Sequence, residues 1–471
     1  MIVFRRLLPV LALFTASLPA ADFGARFEQI KQSASPASLY TFLYAVPKGG
    51  DLHNHLPGAI RPEWWYATAT DPQRNGGDIF YTRVAFTAGL DTGVPLILYQ
   101  TIRRHTYELL SEAARRDYVR LDALTADQRQ AWLDALRLDR PGEGRDEFFT
   151  WIWPRLGQLN QNINVLCEVL VATMQAYGSE GMRYLETQSN LTGFFDNDGN
   201  ALAPDAAAAY LTRRLAQPDA RASGVTVRFQ AIVLRFHPLA EQWLAEQYAL
   251  VDAHRDLYVG LNMAGVEENN KGDPRRFLAK YRELRSHYPM LALSIHAGEM
   301  DWGDTHIRDT LLLGATRIGH GLNLIRDEDT LRLLQQARRV LVEINLISNR
   351  LLEYTPDLTK HPFPEYLRTG VPVCLNTDDR GMWDSNLTDE YYTAVTTYNL
   401  SWAELVELGR NSLAYSFAQP EVKAQLLADY EREVRAFEAK FGGADWQAAL
   451  TGVHPVSYGY GRRTWGFDFK N

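Results

Sequence analysis

Cysteine is nearly absent. The 471-residue sequence has two, Cys167 in a helical pattern and Cys374 in an apolar strand pattern, so no disulfide framework holds the fold and two buried free thiols are expected. No C-x-x-C pair occurs, which removes the usual thiolate zinc sites and leaves histidine and carboxylate to hold any metal. There is also no excess of positive charge. With 49 Lys+Arg against 57 Asp+Glu the net charge is −8, and no basic block interleaves with aromatics, so nucleic acid is not an expected partner. Beyond the first twenty residues no apolar run approaches the roughly eighteen residues that would span a bilayer. Internal repeats and low-complexity tracts are missing as well.

The N-terminus carries Arg5 and Arg6, an apolar run from Leu7 to Leu18 broken by Pro9, and then Pro19-Ala20-Ala21. That is the layout of a secretory signal peptide, so residues 1–20 are expected to be removed, the mature chain to begin near Ala21, and the protein to be exported, periplasmic or secreted, without stable membrane insertion.

The rest, 21–471, reads as one domain. Eight strand candidates lie at 48–56, 182–190, 225–236, 257–266, 291–299, 316–322, 340–349 and 371–379. Helical patterns intervene at 204–216, 239–254, 274–287 and 327–338. Alternation of this kind demands parallel strands, and eight of them predict an α/β fold, a (β/α)₈ TIM barrel. The rhythm breaks between the first and second strands, where about 70–149 is rich in helix formers and charge and predicts a helical insertion on the rim. Extra helices are expected past the eighth strand, from Thr388 to Phe441.

Within Lys48-Gly49-Gly50-Asp51-Leu52-His53-Asn54-His55-Leu56-Pro57-Gly58, His53 and His55 share one face of an extended strand and can grip one ion. An isolated H-x-H is more often an ordinary pair. Three later segments change that: His296-Ala297-Gly298-Glu299 ends the fifth strand, Gly319-His320-Gly321 the sixth, and Asn376-Thr377-Asp378-Asp379 the eighth. In a barrel these ends converge on the mouth where catalysis takes place. His53, His55, His296 and Asp378 offer three nitrogens and one oxygen, a set suited to one zinc ion with a position left for water. His320 and Asp379 remain to orient that water and take its proton, and Glu299 to donate a proton to the substrate.

The string from Pro47 to Ala59, together with the HAGE, Gly-His-Gly and Thr-Asp-Asp motifs, resembles the motif set of the adenosine and AMP deaminase family of metal-dependent hydrolases. Ser348-Asn349 and the Gly-Met-Trp at 381–383 lean towards the secreted, growth-factor-related branch. The resemblance implies that His53, His55, His296 and Asp378 hold the zinc, that Glu299 protonates the ring nitrogen, that His320 activates the water, and that Asp379 orients it and contacts the purine. It implies that the backbone amide of Gly265 meets the opposite ring edge, and that adenosine and 2′-deoxyadenosine become inosine and ammonia. A homodimer formed through the insertion is implied by the branch alone.

Pro57 stands where adenosine-specific members carry an aspartate for the sugar, and it offers neither carboxylate nor backbone donor. Looser sugar recognition is expected. Arg380 and Asn345-Leu346 also depart from the family pattern, while Trp64, Trp65, Trp151 and Trp153 are candidates for an aromatic wall over a flat base. Other substrates stay open: adenine, AMP, an N6-substituted nucleoside, or the amide or ester of a different metal hydrolase. A non-catalytic nucleoside-binding protein is the remaining alternative. Binuclear hydrolases need a bridging ligand near the fourth strand's end, where Asn262-Met263-Ala264-Gly265 provides none.

Overall fold

Short apolar strands separated by capped helices dominate the computed structural model, which describes residues 23–87, 96–269, 271–289 and 291–469. The export segment read at 1–20 lies outside the described residues. The strands are β1 (Gly49–Asp51), β2 (Phe80–Arg83), β3 (Thr101–Arg103), β4 (Tyr118–Arg120), β5 (Met182–Gln188), β6 (Thr226–Leu234), β7 (Tyr258–Ala264), β8 (Ala292–Ala297), β9 (Arg317–His320), β10 (Leu341–Ile344) and β11 (Val373–Leu375). β1 and β5 to β11 pair side by side in chain order, all parallel. Each falls inside one of the eight segments read from the sequence. The two ends of the row meet at a parallel bridge between Asn54 and Asp378, where the Asp378 N–H donates to the His53 carbonyl at 2.9 Å. The seam of the (β/α)₈ barrel therefore runs through two of the expected metal ligands.

Parallel neighbours require crossovers, and helices such as Pro204–Leu215, Ala240–Ala253, Leu278–His287 and Glu328–Ala337 supply them. The last begins where the Asp327 carboxylate accepts the Thr330 N–H, the ordinary N-cap arrangement. After β11 come helices Leu387–Tyr398, Trp402–Ala414 and Pro420–Phe441, the first two opened by capping boxes, Asn386 with Asp389 and Ser401 with Glu404. The second packs so closely on β1 that a Cβ on Gly49, at φ +71°, would lie 2.2 Å from the Gly409 carbonyl oxygen. Only glycine fits there. Cys167 and Cys374 are both buried and free. No helix among the described residues is long and apolar enough to cross a membrane.

The insertion corrects the sequence reading. It carries short helices, among them Ala126–Ala135, but also β2, β3 and β4, which form an antiparallel sheet in the order β3-β2-β4. Strands of three or four residues, Phe-Tyr-Thr-Arg, Thr-Ile-Arg and Tyr-Val-Arg, are too short to display an alternation that separates them from helix. The insertion docks on the rim after β11, where the Leu138 N–H donates to the Met382 carbonyl at 2.9 Å.

Charge is buried in the barrel interior in one linked chain. Arg317 lies between Glu186 (2.7 Å) and Glu343 (2.6 Å), and Glu343 in turn accepts from the Nδ1 of His53 at 2.8 Å. All four side chains are fully buried. Ions removed from water persist only when paired in this way, so the chain carries the position of His53 down into the barrel floor.

Candidate active site

The strand of His53 and His55 is shorter than expected. β1 stops at Asp51, and a four-residue helical turn, Leu56–Ala59, begins directly after His55. His55 is still extended, at φ −92° and ψ 116°, so the alternation holds and both rings turn to the same mouth. His53 Nε2 is 3.7 Å and His55 Nε2 3.4 Å from Asp378 Oδ1. The rings of His53 and His296 lie 4.3 Å apart. One ligand atom from each of His53, His55, His296 and Asp378 falls within 4.8 Å of the other three, so the structure brings together all four expected ligands.

The donor set fits a metal. His53 Nδ1 is bound to Glu343, and His53 Nε2 is buried with no hydrogen-bond partner. The Nδ1 of His296 meets the Asn262 side-chain oxygen at 2.8 Å, and Ser348 Oγ donates to Asp378 Oδ2 at 2.7 Å. Outer partners of this kind orient metal ligands. Burial lowers the proton affinity of His55, to about 4, and of His296, which leaves both imidazoles neutral and able to ligate. A trio, Glu299, His320 and Asp378, shares one carboxylate with that set of four.

Local backbone explains the motif glycines. A Cβ on Gly58 would sit 1.7 Å from Asp379 Oδ1, and one on Gly319 would sit 2.6 Å from the His53 ring. His320 and Asp378 occupy the left-handed region at φ 63° and 53°, where non-glycine residues are strained and cluster at functional sites.

Glu299 is buried, with Oε1 3.6 Å from His320 Nε2. Burial, and then the nearby Asp378 charge, hold its carboxyl well above the usual carboxylate range, so it keeps a proton to give. Asp379 is pushed up for the same two reasons, and its Oδ1 has no partner. Gly265 lines the pocket, at φ +107°, and its carbonyl takes the Nε of Arg235 at 3.0 Å.

Sequence reasoning missed the supports. Glu343 is the one charge in the buried apolar strand Leu341-Val342-Glu343-Ile344, and a lone carboxylate in such a run was the available signal. Arg235 is buried and bonds the carbonyls of His296 and Gly265. It also pairs with Glu267 at 3.0 Å, and Glu267 accepts the N–H groups of Gly298 and Glu299. This net holds the HAGE turn. Because Glu343 orients His53 through its second nitrogen, Glu343→Gln is expected to weaken metal binding by about 10–100-fold, measured by competition with a chelator.

The pocket has a volume of about 690 Å³ and reaches from these residues to an outer wall that includes Phe148, Phe149, Trp153, Phe236 and Trp243. Phe148–Ile152 is a π-helical turn in which the Trp153 N–H reaches back to Phe148. Pro154, which has no N–H to give, follows it. Of the four tryptophans, Trp153 alone lines the pocket, its ring 6.0 Å from that of His55. Trp65 is core and donates to the Pro57 carbonyl, Trp64 packs partly buried on the core, and Trp151 is 41% exposed. Arg380 is buried away from the pocket, bound to Glu180 at 2.9 Å and stacked on Tyr177.

The adenosine deaminase family profile matches residues 106–432, which takes in the three later motifs and leaves out His53 and His55. An adenosine deaminase from Enterococcus faecalis is 38% identical over 136 residues, 29% of this chain and 40% of that protein. The chain spans about half the length of the curated relatives it matches. Among solved structures, adenine deaminase from Arthrobacter aurescens superposes with a TM-score of 0.60 at 21% identity, over 83% of this chain and 100% of the other. An amidohydrolase from Burkholderia ambifaria with bound zinc gives 0.61 at 18% identity, over 86% and 95%. At such identities the likeness is one of fold.

Proposed function

This chain belongs to the adenosine deaminase family, and from that premise we propose that it hydrolyses adenosine and 2′-deoxyadenosine to inosine and ammonia with one zinc ion per chain. The observation that carries deamination is the convergence of His53, His55, His296 and Asp378 beside the buried Glu299 carboxyl, which burial and the Asp378 charge push well above the usual carboxylate range. Zinc held by those four residues supplies Lewis acidity that brings a water molecule's pKa to about 7. Glu299 gives its proton to the ring nitrogen next to the amine-bearing carbon, and the ring then accepts electron density as the oxygen adds. Gly265 offers the backbone that borders the far ring edge, and Asp379 reaches the same space.

A nucleoside is favoured over a nucleotide by the pocket's chemistry. None of the described residues lining it is a lysine or arginine, the side chains that ordinarily receive a phosphate. Pro57 is among the lining residues and offers the sugar no donor. Little binding energy is then tied to the 5′-hydroxyl, and its removal leaves no buried partner unpaired.

The test is amine release by the zinc-loaded mature chain, ammonia from adenosine, 2′-deoxyadenosine, 5′-deoxyadenosine, adenine and AMP, and methylamine from N6-methyladenosine. Adenosine is expected to be turned over, 5′-deoxyadenosine to follow within about tenfold in kcat/KM, or about 1.4 kcal/mol, and AMP to fall far behind. A thousandfold penalty for 5′-deoxyadenosine means that a strong sugar contact exists after all. Release from none of the six sinks the deaminase proposal. Export, with cleavage near Ala21 and membership of the secreted branch, and a homodimer built through the insertion, are proposed alongside. N-terminal sequencing of the exported protein and light scattering test them.

A further inference from the structure

His320 faces the pocket with Nε2, while its Nδ1 points to two amides, the Asn345 Nδ2 at 3.3 Å and the Asn349 Nδ2 at 3.1 Å. Which nitrogen carries the proton follows from a chain of contacts that starts at a group with no choice. The backbone N–H of Phe363 can only donate, and it points at the Nδ1 of His361 at 3.1 Å, so that nitrogen is an acceptor and carries no hydrogen. His361 is fully enclosed, and burial drives its pKa down to about 3, so its single proton is on Nε2. That Nε2 meets the Asn349 Oδ1 at 3.1 Å, which fixes the amide with its oxygen towards His361 and its nitrogen towards His320. Asn349 Nδ2 therefore donates to His320 Nδ1.

We infer that Asn349 and His361 are positioning residues that hold His320 in the tautomer protonated on Nε2, so that it enters the active site as a hydrogen-bond donor and not as a base. The Nε2 of His320 is buried and without a partner of its own, 3.6 Å from the Glu299 carboxyl and 4.0 Å from Asp378. An N–H aimed there meets the oxygen that attacks the ring, holding it in line and stabilising the negative charge it develops. In this tautomer His320 has no lone pair for the proton of that water. The proton leaves to the Asp378 carboxylate, 4.0 Å from the same Nε2, while the oxygen forms its bond to the amine-bearing carbon. Selecting an imidazole tautomer through the nitrogen remote from the chemistry is a strong lever. In the serine-protease triad the wrong tautomer costs about 10⁴ in turnover. The inference rests on the deaminase proposal for its consequence in catalysis, and on hydrogen-bond geometry alone for the tautomer.

The test reads the two separately. In zinc-loaded protein labelled with ¹⁵N-histidine, the resonances of His320, assigned by their loss in His320→Gln, are expected to show a proton on Nε2 and a bare Nδ1. A wild-type spectrum with the proton on Nδ1, or on both nitrogens at neutral pH, overturns the inference whatever the activity. Asn349→Asp replaces the donor with an acceptor. It should move the proton to Nδ1 and lower kcat by a hundredfold or more with KM within about threefold, while turnover at the wild-type rate with the proton moved overturns the donor role. Glutamine at 361 can accept the Phe363 N–H and donate to Asn349, so His361→Gln should keep the proton on Nε2 and kcat within tenfold. If His361→Gln loses a hundredfold with the proton still on Nε2, His361 acts otherwise than through the tautomer. An unchanged tautomer with no turnover on any adenine compound removes the deaminase proposal and leaves the tautomer assignment standing.

Discussion

Glu299→Gln is expected to bind zinc like the wild type and to lose about 10²–10⁴ of its turnover, the range that a positioned general acid contributes. The glutamine amide fills the same volume and makes hydrogen bonds, but it has no transferable proton. Its carboxyl parent is buried, is held protonated by that burial and by Asp378, and lies outside the set of four ligands. kcat and KM should separate, with kcat carrying the loss, because the missing interaction is made in the transition state. Metal analysis on the same sample decides what a loss means. Zinc that disappears with Glu299 places this carboxylate in the metal shell, and turnover that survives removes it from the proton path.

His296→Ala is expected to lose both metal and turnover. Removing a ligand goes further than the 10–100-fold typical of an outer partner, and the alanine leaves His53 Nε2, His55 and Asp378 crowded without an ion between them. Because zinc bound only by the folded protein stabilises it, the wild type should melt higher when zinc is added, and this variant should not. About one zinc per wild-type chain is expected. A measured stoichiometry of two would leave the second ion to either Glu267, Asp304 and His306 or Glu299, His320 and Asp378. Only an ion at the latter would contradict an Nε2 proton on His320, since a protonated nitrogen cannot ligate.

Much of this site was legible before folding. H-x-H at a strand end, HAGE, Gly-His-Gly and Thr-Asp-Asp are local signals, because a residue just past a parallel strand is carried to the barrel mouth whatever the rest of the chain does. His53, His55, His296 and Asp378 meet as expected for that reason, and Gly58 and Gly319 mark the places where Asp379 and His53 come too close for a side chain. The eight parallel strands were legible from their spacing. The insertion's small sheet was not, since strands of three or four residues, β2, β3 and β4, leave no periodicity to read.

Only the tertiary structure decided what stands behind each functional group. Glu343 is 290 residues from His53 and Asn349 is 29 from His320, and nothing in either sequence neighbourhood names the other. Arg235 reaches the carbonyl of His296 from the turn that follows β6. Hydrogen bonds across a barrel depend on register and on side-chain direction, and both arise only when the strands pair. The sequence by itself determined the barrel and which residues reach its mouth, because those follow from local patterns repeated along the chain. The tautomer of His320, the anchoring of His53 and the aromatic outer wall were decided by packing between distant segments, which no local pattern encodes.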